Sequence, residues 1–152
     1  MKKTDIAYYA GIFDGEGCVQ ICKHKNSSTR KGFAYALHCR VANTNEWLIQ
    51  SLRMAFGGNV HVQPPRRAHH KMAWEWEIIA RQARNFLLIV YPYLRLKKIE
   101  ADIAIRFQTD RKNKGRKGLT DAEWAIQEAE YLLIKNLKGR KTVRPCWTLL
   151  GE

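Results

Sequence analysis

Tyr9-Ala10-Gly11-Ile12-Phe13-Asp14-Gly15-Glu16-Gly17 is the stretch on which the reading of this chain turns. Around it, Ile6, Tyr9, Ala10 and Phe13 recur at the spacing of one helix face, and Thr4 or Asp5 can cap the start, so residues 5–15 predict a short helix. On another face Ala7, Gly11 and Gly15 recur every four positions, a stripe with almost no side chain along which a second helix backbone can approach closely. A glycine inside a helix costs about 1 kcal/mol relative to alanine, so such a stripe calls for a packing or functional reason. The helix ends in Asp14-Gly15-Glu16-Gly17, which sets a carboxylate at the negative end of the helix dipole. Two such helices side by side would also bring two Glu16 groups together. A divalent cation that accepts carboxylate and backbone carbonyl oxygens relieves both problems. Taken singly, Glu16 reads as an exposed turn acid and Asp14 as a locally hydrogen-bonded one, the commoner fate of a carboxylate.

Beyond Gly17 the period changes from helical to alternating. Val19 and Ile21 mark a strand from Cys18 to about Lys25, and Tyr35, Leu37, Cys39 and Val41 mark another from Phe33 to Asn43, joined by the polar loop 26–32. Trp47, Leu48, Leu52 and Phe56 then return to helical spacing over 44–56, and Gly57-Gly58 supplies the stop. Val60 and Val62 mark a third strand, residues 64–71 a turn, and Trp74, Trp76 and Ile78 a fourth strand. Helices are expected over 81–91, 93–109 and 121–137, the last behind the capping signature Thr120-x-x-Glu123, with a basic loop from Asp110 to Gly118. This order predicts an α+β fold, α-β-β-α-β-β-α-α, in which an antiparallel four-stranded sheet carries its helices on one face.

Parity then sorts the strand residues. With Val19, Ile21, Leu37, Val41, Val60, Val62, Trp74 and Trp76 inward, the outward set is Gln20, Cys22 and His24; Ala36, His38 and Arg40; Asn59, His61 and Gln63; Glu75 and Glu77. Arginine suits guanine, asparagine and glutamine suit adenine, and glutamate suits the cytosine amino group, so this face is equipped to read base edges. An outer sheet face is also polar simply because water wets it, and parity alone leaves the two readings even.

Composition narrows the choice. Lys and Arg total 27 against 14 acidic residues, a formal charge of +13 over 152 residues, which points to a polyanionic partner. The basic residues are spread along the chain and are not gathered on one amphipathic helix, which favours nucleic acid over a membrane surface. No apolar stretch is long and uncharged enough to span a bilayer, and Asp5 and Asp14 interrupt the segment after the basic Lys2-Lys3 start, so a soluble intracellular protein is expected. Cys18, Cys22, Cys39 and Cys146 lack the paired C-x2-C spacing of structural zinc sites and are expected to be reduced thiols. No linker divides the chain, so residues 1–152 read as one domain, with a tail from about 139 that either grips a partner through Arg140, Lys141, Arg144 and Trp147 or is disordered.

Residues 9–17 resemble the LAGLIDADG motif of homing endonucleases, with Tyr for the first Leu, Gly for the second Ala and Glu for the second Asp. The β-β-α-β-β-α order after the motif and Pro92-Tyr93-Leu94-Arg95-Leu96-Lys97, which is similar to a family segment ending in an active-site lysine, extend the resemblance over roughly residues 5–109. The resemblance implies a site-specific, metal-dependent double-strand DNA endonuclease that leaves short 3′ overhangs and uses Mg2+, with Mn2+ or Ca2+ able to substitute in binding, and no organic cofactor. It implies Glu16 as the metal-binding acid assisted by the Gly15 carbonyl, Asn43 as the residue placing solvent near the scissile phosphate, and Lys97 as the residue steadying the water network or the developing charge. Relatives often carry a further basic residue just before the Trp47 position. Here Asn45 and Glu46 stand there, which leaves Arg40 and Arg53 as candidates for that role. One motif gives half an active site, so the resemblance implies a homodimer joined through Ala7, Gly11, Asp14 and Gly15 on a palindromic or pseudo-palindromic site. The outward strand residues would read bases. Lys and Arg of the loops 23–31, 66–71 and 111–117, Arg30, Arg66, Arg67 and Lys71 among them, would with Asn26 contact the DNA along its backbone. A regulator or RNA maturase on the same scaffold, without cleavage, is the alternative.

Overall fold

Helix α1 (Lys3–Glu16) passes into strand β1 (Gly17–Lys25) without a loop. Gly17 makes that switch possible: a Cβ there would lie 2.3 Å from the Phe13 ring, and its amide still bonds the Phe13 carbonyl as the last link of the helix. The chain is described by a computed structural model covering residues 1–65, 69, 71–111 and 118–139. Strand β1 pairs antiparallel with β2 (Phe33–Asn43), from Gly17 opposite Val41 to Lys25 opposite Phe33. Helix α2 (Glu46–Phe56) is capped by Asn45, whose side chain accepts the Leu48 amide at 3.2 Å. It stops where Gly57 and Gly58 take φ of 75° and 90°. At Gly58 a side chain would also meet Ile78 at 2.3 Å, so both conformation and space demand glycine. Strands β3 (Asn59–Gln63) and β4 (Ala73–Ile79) complete one antiparallel sheet in the order β1-β2-β4-β3. Helix α3 (Ala80–Val90), a 3-10 turn (Tyr91–Tyr93), α4 (Lys98–Asp110) and α5 (Asp121–Gly139) follow. Thr120 and Glu123 cap α5 reciprocally, the Thr120 amide reaching Glu123 at 2.9 Å and the Glu123 amide reaching Thr120 at 3.3 Å.

The architecture is α+β, as the pattern predicts. Val19, Ile21, Leu37, Cys39, Val41, Trp76 and Ile78 line the inner sheet face and are all but fully buried. Helices cover that face and bury Phe13, Leu52, Phe86 and Phe107 against it. Phe86 is the hub, edge-on to Phe13, Phe56 and Trp76 at centroid distances of 4.9, 4.8 and 5.1 Å. Burying each such side chain contributes roughly 1.5–3 kcal/mol, so the inner face holds the sheet and frees the outer one for other work.

Three expectations are corrected. Trp47 is 69% exposed: α2 turns Leu48 and Leu52 to the core as the stripe predicts, but with them Ile49 in place of Trp47. Val62, next to last in the short edge strand β3, is 57% exposed, whereas Val19 and Ile21 of the opposite edge strand are covered by the helices. The helix predicted over 93–109 begins only at Lys98. Pro92 stands in the 3-10 turn, and the amides of residues 95–97 are drawn to a carboxylate elsewhere.

Candidate active site and nucleic-acid interface

That carboxylate is Asp14. Buried in the last turn of α1, it accepts the Arg95 amide at 2.6 Å, the Leu96 amide at 3.3 Å and the Lys97 amide at 3.1 Å. Expected in the interface between subunits, it has its carboxylate turned into its own chain, where it serves as the acceptor for the turn that leads into α4. The Lys97 side chain, 7% exposed, returns the contact by donating Nζ to the Asp14 carbonyl. The end of α1 and the start of α4 are thereby laced together, and Gly17, Cys18, Val19, Lys97, Glu100 and Lys138 line a cavity of about 210 Å³ beside them.

Glu16 lies two residues on, exposed, and accepts a hydrogen bond from the Asn43 side-chain amide at the end of β2. The Asn43 oxygen in turn accepts the Asn45 amide at 2.8 Å, which fixes the orientation of its own amide group. Three residues from separate parts of the sequence, Glu16, Asn43 and Lys97, thus gather around the last turn of α1. Asn45 caps α2, and Arg40 is bonded to Glu77 across the sheet. Arg53 stands in the last turn of α2.

The donor set matches a hard cation, since Glu16 and the Gly15 carbonyl offer oxygen ligands. Among the described residues no three His, Cys, Asp or Glu side chains lie close enough to hold a metal ion by themselves. The bare stripe of α1 is open: Ala7, Gly11 and Gly15 are exposed, and a Cβ on Gly11 or Gly15 would meet nothing within 4 Å among the described residues outside its own helix backbone. Leu96, whose amide bonds Asp14, is 75% exposed, and Tyr8, next to Ala7 on α1, is 52% exposed.

On the outer sheet face the residues expected by parity fall where predicted. Gln20, Cys22, Ala36, His38, Arg40, Gln63, Glu75 and Glu77 are half-buried, and His24, Asn59 and His61 are exposed. They are not independent of one another: Glu77 bonds Arg40 Nε and His38 Nδ1, each at 2.7 Å. Burial pushes the Glu77 carboxyl up, but the hydrogen bonds and charges of His38 and Arg40 outweigh it and hold the group below the ordinary carboxylate value. Cys22, half-buried, is raised by burial.

The loop cations are partly engaged at home. Arg30 pairs with Asp121, Lys31 lies 3.7 Å from the same carboxylate, and Lys23 lies 3.7 Å from Glu128. These pairs are well exposed, so each is worth little and exchanges readily for a phosphate. Arg111, expected among the phosphate-holding loops, instead donates to the Tyr35 carbonyl at 2.5 Å, and burial lowers its pKa. Asn26 turns its side chain onto Ser28 and so shapes its own loop. Lys71 is exposed, whereas Arg66, Arg67, residues 112–117 and the tail after Gly139 lie outside the described residues.

No protein-family model and no curated protein sequence matches the chain. Solved structures do. The homing endonuclease I-CvuI in complex with its target DNA and calcium superposes with a TM-score of 0.69 at 16% identity, over 93% of this chain and 84% of that one. An archaeal intron-encoded homing endonuclease, I-Vdi141I, complexed with DNA, gives 0.60 at 10% identity over 87% and 99%. The LAGLIDADG homing endonuclease I-LtrWI bound to target DNA gives 0.65 at 17% identity, over 90% of this chain but 44% of that one.

Proposed function

We propose that this chain, which has the fold of the LAGLIDADG homing endonucleases, is a site-specific double-strand DNA endonuclease that works as a homodimer. The observation that carries the reading is the gathering of Glu16, Asn43 and Lys97 at the end of a helix whose open face has room for a second copy. Two helices joined along Ala7, Gly11 and Gly15 would bring two Glu16 carboxylates to one axis, and a palindromic or pseudo-palindromic target follows from that symmetry. Glu16 and the Gly15 carbonyl would hold a divalent ion, Mg2+ with Mn2+ or Ca2+ able to replace it in binding, which lowers the pKa of bound water and offsets charge on the phosphate.

The chain's own groups supply the rest. Asn43, its oxygen tied to the Asn45 amide, presents its NH2 edge to Glu16 and so keeps the acid in one orientation beside the attacked phosphate. Lys97, held at the Asp14 carbonyl, is a positive charge kept close to the site through the reaction, where it offsets charge that develops on the phosphate oxygens. Gln20, Cys22, His24, Ala36, His38, Arg40, Asn59, His61, Gln63, Glu75 and Glu77 would face the major groove. Arg30 and Lys71, with Arg66 and Arg67, would hold phosphates. Cutting across the minor groove leaves short 3′ overhangs.

The test is incubation of purified protein with Mg2+ and a library of DNA sites, followed by sequencing of cut ends. Glu16→Gln is expected to lower cleavage by about 10³-fold or more while leaving most of the DNA affinity, because a neutral amide cannot replace the anionic ligand. Retention of DNA with no cut product at any metal would leave a binding protein, regulator or maturase in place of a nuclease. Equal loss of cutting and binding would make Glu16 structural.

A further inference from the structure

Three cationic or titratable side chains of the outer sheet face converge on one carboxylate. Strands β2 and β4 set Arg40 opposite Glu77, and β3 sets Asn59 opposite it on the other side. Glu77 Oε1 accepts Arg40 Nε at 2.7 Å and lies 2.7 Å from His38 Nδ1, while Oε2 lies 3.8 Å from His61 Nε2. The Glu77 side chain is 19% exposed against 35% for Arg40 and 53% for His61, so the acid sits below the arginine and the outer histidine.

This placement has two chemical consequences. Arginine that gives Nε to a carboxylate keeps its two terminal nitrogens, the edge that pairs with O6 and N7 of guanine. An ionised carboxylate only accepts, so a ring nitrogen 2.7 Å from it carries a proton, and this contact holds the His38 ring in one orientation with Nε2 as its other polar edge. The Arg40 Nη2 approach to that same Nδ1, at 3.4 Å, then sets donor against donor and fixes nothing. Both hydrogen bonds fall on Oε1 of Glu77, and the carboxylate lies deeper in the face than the arginine that would meet a base edge.

We propose that Glu77 is a positioning residue that reads no base: it presents the guanidinium fork of Arg40 and one ring orientation of His38, so that these side chains recognise neighbouring base pairs as a single unit. The inference rests on the reading of this face as a DNA-binding surface.

Selection of a random duplex library by the full chain in Ca2+, with sequencing of bound DNA, tests it. Arg40→Ala is expected to lose guanine preference at one base pair by about tenfold or more. Glu77→Ala should relax that same base pair and the one changed by His38→Ala, with no further loss in the double variant Arg40→Ala, Glu77→Ala. Glu77→Gln, which keeps an acceptor for Arg40, should recover part of the guanine preference. Should Glu77→Ala fail to fold, Glu77→Gln decides alone by the same criterion of position. A Glu77 variant that changes preference at a base pair untouched by Arg40→Ala and His38→Ala makes Glu77 a direct reader and overturns the inference, as do additive losses in the double variant. A wild-type chain that selects no sequence overturns the DNA-reading function itself, and this inference with it.

Discussion

Asp14 shows how far one residue's role can lie from its place in a motif. Its neighbours suggest an interface, but its carboxylate answers three amides some eighty positions away. Asp14→Asn replaces one accepting oxygen with a donor that faces a donor. It is expected to cost about 2–3 kcal/mol in denaturant unfolding, and a change below about 0.5 kcal/mol would show that the amides find other partners. Glu16, Asn43 and Lys97 could be singled out from the sequence as candidates because a motif and its resemblance mark them. The Asp14 contacts could not, because no local pattern records which distant amides lack a partner. The same holds for Arg111, a loop cation by sequence that the fold turns onto the Tyr35 carbonyl, and for the sharing of Glu77 among strand residues, which requires the register of β2 against β4.

Elements were readable where period and punctuation agree. The alternation of β1 and β2, the Gly57-Gly58 stop and the Thr120–Glu123 cap all stand as the residues predict. Misreadings occur where two phases compete, as in α2, where Trp47 and Ile49 both fit an apolar stripe and the sheet takes Ile49. Helix α1 offers the sharpest test at this scale. A Cβ at Gly11 meets nothing within 4 Å among the described residues outside its own helix backbone, and the position is exposed, so Gly11→Leu is expected to leave the fold intact, with up to about 1 kcal/mol gained from helix propensity. If α1 is the joint between subunits, the same change abolishes the dimer in analytical ultracentrifugation and cleavage with it. A Gly11→Leu protein that remains dimeric and active would move the joint elsewhere.

For the whole molecule, charge is the dominant fact. An excess of 13 positive charges cannot be consumed by internal pairs, each of which uses up one acid for one base, and those of Lys23, Arg30 and Lys31 are exposed. DNA affinity is expected to fall by about 10³-fold or more between 50 and 200 mM salt if six or more phosphates are neutralised. A titration that is flat in salt would contradict a polyanion as partner.

The lacing of Asp14 to residues 95–97, with Lys97 reaching back to the Asp14 carbonyl, also bears on how such a site can be tuned. A rivet of this kind leaves no slack between the first and fourth helices. Whatever tilts or slides the one carries the other, so if two copies meet along the first helix, acid and lysine of each would travel as a single rigid jaw, and only where a backbone comes to rest between the two jaws would be left adjustable.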